Sequence, residues 1–107
     1  MRDYYNLFVE LSLKQCTAQD YADKQKVKTH NAAVSKLNLL AAEMKEIDCA
    51  ETLGQLLRHE DDRVRLNAAS LCLQSGVLIE DAKQTLNNII SFSTDSTIRF
   101  SAKMVLQ

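Results

Sequence analysis

The sequence predicts an all-α fold of about six helices in three antiparallel pairs, and three observations predict it. The chain has no Pro and only two Gly among its 107 residues, whereas a β-rich fold of this length needs many tight turns. Apolar residues recur at helical spacings along almost the whole chain. One segment, Asp61-Asp-Arg-Val-Arg-Leu-Asn-Ala68, returns 34 residues later as Asp95-Ser-Thr-Ile-Arg-Phe-Ser-Ala102. The second copy keeps the Asp, the branched apolar residue, the Arg, the large apolar residue and the small Ala.

Residues 3–16 read as the first helix, with Asp3 as its N-cap. Tyr4, Leu7, Phe8 and Leu11 form one stripe, and Tyr5, Val9 and Leu13 form another beside it. Cover on two sides is therefore expected, from the rest of the fold or from another subunit, which leaves monomer and homodimer both open. A second helix is expected from Thr17, where Thr17-Ala-Gln-Asp20 resembles a capping box with Asp in place of Glu, to about Ile47. Ala33, Leu37, Leu40, Met44 and Ile47 form its apolar face, widened by Val27, Val34 and Ala41. Its first half, with Lys24, Lys26 and Lys28, is polar, but no Pro or Gly marks a kink.

Ala50–Leu57 is a short third helix with Leu53, Leu56 and Leu57 on one side. The fourth is written out with its start and stop signals. Asp61 or Asp62 can cap it, Val64, Ala68, Leu71 and Cys72 line one face, and Gly76 is free to take φ > 0 at its end. Residues 78–91 give a fifth helix through Ala82, Leu86, Ile89 and Ile90, and about 97–106 a sixth through Ile98, Ala102, Val105 and Leu106. The expected organisation is one domain, 1–107, with a long N-terminal helix pair over 1–48 and repeats over 49–76 and 77–107.

Composition narrows the function classes. Hydrophobic residues at 46% and charged residues at 25% are ordinary for a folded globular chain. A net charge of −1 argues against a general polyanion binder, so no nucleic-acid partner is expected. Charge is nevertheless uneven: residues 43–62 hold seven acids against Lys45 and Arg58. Cys16, Cys49 and Cys72 are odd in number and lack a C-x-x-C pair, which suggests neither a disulfide framework nor a zinc site. No apolar signal region opens the chain, and no run approaches the length of a membrane span. Cytoplasmic residence with reduced thiols and no membrane association is the expectation.

The repeat is a pair of helices. Leu53, Leu56 and Leu57 correspond to Leu86, Ile89 and Ile90 at an offset of 33, and the next helix corresponds at 34, which fits one extra residue in the link between them. Tetratricopeptide and ankyrin units have similar periods, but their Trp-Leu-Gly-Tyr and Thr-Pro-Leu-His signatures are absent. The Asp-x-x-Val/Ile-Arg-x-x-Ala core instead resembles HEAT repeats, which implies an α-α superhelix. Residues 3–106 resemble a small bacterial family of HEAT-like helical proteins of unassigned activity. The resemblance is carried by His30-Asn-Ala-Ala-Val-Ser-Lys-Leu37, Leu53-Gly-Gln-Leu-Leu57 and Asp61-Asp-Arg-Val-Arg-Leu-Asn-Ala-Ala69. That family includes immunity proteins of polymorphic and contact-dependent growth-inhibition toxin systems. The resemblance implies a non-catalytic protein that binds and neutralises a cognate toxin, an RNase or a DNase; a scaffold or adaptor without a toxin is the alternative.

No residue pattern demands catalysis or a cofactor. His30 reads as a half-buried helix residue, and His59, beside Glu60, Asp61 and Asp62, reads as part of a helix cap rather than a metal site. Phosphate loops, nucleophile elbows and zinc-protease motifs are absent from the sequence. Arg65 and Arg99 are read as ties in the inter-helix turns, each to a carbonyl or the preceding Asp, and Lys24, Lys26, Lys28 and Lys36 as a solvated face. Two candidate partner surfaces remain. One is the outward row Arg63, Asn67, Ser70 and Gln74, continued on the last helix by Thr97, Ser101 and Met104. The other is the acidic segment Glu43, Glu46, Asp48 and Glu51, which could steer a basic partner.

Overall fold

The computed structural model describes residues 3–14, 24–47 and 49–107, without the side chains of residues 24–27, 29 and 30. The described residues form six α-helices and no strand: α1 (Tyr4–Leu13), α2 (Lys24–Lys45), α3 (Ala50–Leu56), α4 (Asp62–Ser75), α5 (Ile79–Phe92) and α6 (Ser96–Leu106). The chain divides into two compact units, Met1–Asp48 and Cys49–Gln107.

In the first unit α1 packs against α2. The Asp3 carboxylate accepts from the Asn6 amide and starts α1, as its position predicts. Phe8 is 1% exposed, and Ala33, Leu37, Leu40 and Met44 recur on α2 as one buried face. Two apolar residues depart from expectation. Leu13, on the second stripe of α1, is 55% exposed, so that stripe is only partly covered. Ile47 is 46% exposed, because α2 ends at Lys45 and the turn that follows carries residue 47 off the helical register. The expected helix start at Thr17 lies outside the described residues, as do Cys16 and the side chains of Val27, Lys24, Lys26 and His30.

The second unit holds the repeat. Here α3 packs on α4, α4 on α5 and α6, and α5 on α6. Leu53, Leu56, Val64, Ala68, Cys72, Ala82, Leu86, Ile89 and Ala102 are all within 3% of complete burial. Ala68 and Ala102 have no exposure at all, which suits a small side chain where two helices approach closely.

The two copies share their hydrogen bonds as well as their residues. Asp61 Oδ1 accepts from the amides of Arg63 and Val64 at 2.9 and 3.2 Å. Asp95 Oδ1 accepts from Thr97 and Ile98 at the same two distances. Each Asp amide donates back to the side chain two residues earlier: Asp61 N–H to His59 Nδ1 at 3.0 Å, and Asp95 N–H to Ser93 Oγ at 3.2 Å. The recurrence at 34 residues is thus a repeated turn, with an imidazole nitrogen and a hydroxyl serving as equivalent acceptors. Asp61, not Asp62, is the cap; Asp62 is the first helical residue and adds a charge that suits the dipole.

Gly76 closes α4 with φ of 71°, and the amides of Gly76 and Val77 both donate to the Cys72 carbonyl. Leu78 follows at φ 53°, the one non-glycine residue with positive φ among the described residues, and precedes α5 without a side-chain cap. Glu80 and Asp81 in the first turn of α5 offset that lack through the helix dipole. Within the seven residues of α3, Gly54 has room for a methyl group, since an added Cβ would lie 3.6 Å from Leu78 Cδ1.

Candidate protein-binding surface

The outward row of α4 is less open than its spacing predicts. Arg63, Asn67 and Ser70 are half-buried, and only Gln74 is exposed, its amide donating to Ser70 Oγ at 3.3 Å. The continuation on α6 is more accessible: Thr97 and Met104 are exposed and Ser101 is half-buried. In the acidic segment, Glu43 is half-buried while Glu46 and Glu51 are exposed. Glu43 and Glu46 belong to the first unit and Glu51 to the second, and Asp48 lies outside the described residues.

The repeated arginines have different fates. Arg65 is largely covered, pairs with Asp62 one turn back, and donates from Nη1 to Asn88 Oδ1 of α5 at 3.1 Å. Its tie is therefore to Asp62 and across to the next helix pair, not to the capping Asp61. In the second copy Ser96 stands where Asp62 stood, and Arg99 is exposed with no carboxylate partner among the described residues. Arg99 does not hold an inter-helix turn.

Arg65 also walls a polar cleft of about 370 Å³ between α3, α4 and α5, with Arg58, Asp81, Gln84 and Asn88. A second cleft of about 340 Å³ lies between α1 and α2, where Leu7, Leu11 and Leu39 meet Lys14, Lys36 and Glu43. Both have mixed charge and open to solvent.

The histidine, the capping aspartates and the cysteines of the second unit are engaged in structure. Asp61 caps α4 as expected, and His59 Nδ1 accepts from the Asp61 amide in the turn before it. Cys49 and Cys72 are free and buried. Burial, with a further contribution from the Asp81 carboxylate, pushes the Cys72 thiol up from 9.0 to about 11, so it stays protonated and weakly nucleophilic at neutral pH. Among the described residues no three His, Cys, Asp or Glu side chains converge as a metal site would need, and no helix is long and apolar enough to cross a membrane.

Two exposed aromatic groups were not among the candidates read from the sequence. Phe100 is 64% exposed and Phe92 75%, beside Met104 at 53%. Phe100 matches the buried Leu66 in register and so reads as core. Lys103, which replaces the fully buried Ala69, is the signal that could have shown this side of α6 to be open.

A family model described as a domain of unknown function, DUF2019, matches residues 2–107. The chain belongs to the DUF2019 family. No curated protein and no solved structure matches this DUF2019 chain. Membership identifies the whole chain as one family unit and assigns it no activity.

Proposed function

We propose that this DUF2019 protein is a non-catalytic, cytoplasmic protein-binding module whose helix pairs are HEAT-like. Its most concrete role is that of an immunity protein that neutralises a cognate nuclease toxin, an RNase or a DNase, by occluding the active site. The observation that carries the binding reading is the use the repeat makes of its reactive side chains. His59, Asp61, Asp62 and Arg65 hold the turn and the neighbouring helix, Asp95 holds the second turn, and Cys72 is sealed in the core. The exposed residues Thr97, Phe100 and Met104 on α6 are open to a partner, as equivalent positions of stacked repeats commonly are. The toxin assignment rests on the family resemblance together with the acidic residues Glu43, Glu46 and Glu51, which suit a surface built to hold phosphates.

Calorimetry with the toxin encoded immediately upstream tests the role directly. Binding tighter than about 1 μM, together with protection of cells that express the toxin, is expected. Weaker binding without protection would remove the immunity role and leave a scaffold.

A further inference from the structure

The two helix pairs of the second unit treat equivalent positions differently. On α4, Leu66 is 4% exposed and Ala69 not at all, beneath the helices that pack around it. In the same register α6 holds Phe100, 64% exposed, and Lys103, also exposed. Ser70 is half-buried, whereas its counterpart Met104 is 53% exposed. Arg65 reaches Asn88 on the following helix, whereas Arg99 has no such partner among the described residues. The side of α6 that corresponds to a packed side of α4 is therefore open. It carries two adjacent i,i+4 stripes, one apolar (Phe100, Met104) and one basic (Arg99, Lys103).

We propose that this side of α6 docks an acidic amphipathic helix of a partner protein. The apolar ridge of that helix seats on Phe100 and Met104, and its flanking carboxylates meet Arg99 and Lys103. Charge decides the occupant. From Ser96 to Leu106 there is no carboxylate, and the preceding Asp95 is engaged in the cap. A second copy presenting the same face would set cations against cations, whereas an acidic helix satisfies both. An exposed aromatic, a Met and an Arg together are residue types enriched at interface cores. The inference rests on the protein-binding reading but not on the toxin, since Glu43, Glu46 and Glu51 suit a basic surface instead.

Two helix-stabilised peptides that share one leucine ridge, one edged with glutamate and one with lysine, serve as probes. By fluorescence anisotropy with the full chain at low salt, the glutamate-edged peptide should bind about tenfold tighter or more. Arg99→Glu combined with Lys103→Glu should invert that preference. Phe100→Ala should weaken the glutamate-edged peptide about tenfold. All these side chains are exposed, so each variant should melt close to the parent. Equal binding of the two peptides, no binding up to about 1 mM, or a preference that survives the charge reversal overturns the proposal. Self-association of the parent that Phe100→Ala abolishes also overturns it, by making a second copy the occupant. Should the upstream toxin fail to bind while the peptides behave as expected, the immunity role falls and the docking surface stands.

Discussion

Asp61 and Asp95 do the same work in the same geometry, which makes them a matched pair for measurement. Each satisfies two amides that the first turn of a helix would otherwise leave without partners. Asp61→Ala and Asp95→Ala should each destabilise the protein by about 1 kcal/mol in urea unfolding, and the two losses should add because the caps share no partner. Markedly unequal losses would mean that the repeat is one of sequence more than of energetics. Cys72 allows a second test, through pH. Its folded-state thiol titrates at about 11, above the ordinary 9.0, so the unfolded chain releases this proton first. Its contribution is therefore fully present below pH 9.0 and lost as pH rises towards about 11. Melting temperature should fall across that window, and less steeply in Cys72→Ala; identical slopes would assign the alkaline loss to other groups. The Asp caps, the closely packed alanines and Gly76 were legible in the sequence, because local backbone needs dictate those residue types. The acceptors His59 and Ser93 were not, since unlike residues perform one task. Nor was the bond from Arg65 to Asn88, which spans 23 residues and leaves no periodic trace.

At the scale of whole helices, α4 and α6 contrast most. α4 packs against α3, α5 and α6, and buries Leu66 and Ala69 as well as the expected Val64, Ala68, Leu71 and Cys72. α6 repeats the inner face but leaves the adjoining side open. Leu66→Ala should thus cost about 2–4 kcal/mol of stability, whereas Phe100→Ala at the equivalent position should stay within about 0.5 kcal/mol. Denaturant midpoints measured side by side would decide this, and a large loss at Phe100 would show that its side is packed after all. Periodicity located each helix of the described residues, because one apolar face per helix is enough to reveal it. It could not tell which helix has neighbours on a second side, since that depends on the placement of other elements.

Across the whole chain, charge is the organising quantity. The acidic stretch 43–62 separates flanks that are each net basic, and several of its carboxylates have local tasks: Asp61 caps α4 and Asp62 holds Arg65. Glu46 and Glu51 remain exposed. Glu46→Lys with Glu51→Lys should leave the melting temperature near that of the parent and, if the proposed toxin is the partner, slow association with it and flatten its salt dependence. Unchanged affinity would move the interface elsewhere. The acidic bias was legible from composition alone. Its division between two compact units was not, because nothing in the residues around Asp48 marks a boundary with Pro or Gly.

The glycine inside α3 has a consequence for the order of assembly. A helix of seven residues is far too short to persist alone in water, and an interior Gly weakens it by about a further 1 kcal/mol. Gly54 is not required by crowding, since a methyl group would fit. α3 is therefore expected to wind only once α4 offers a surface for Leu53 and Leu56, and to open early when that surface loosens. α3 begins at Ala50, so this dependent segment lies at the start of the second unit.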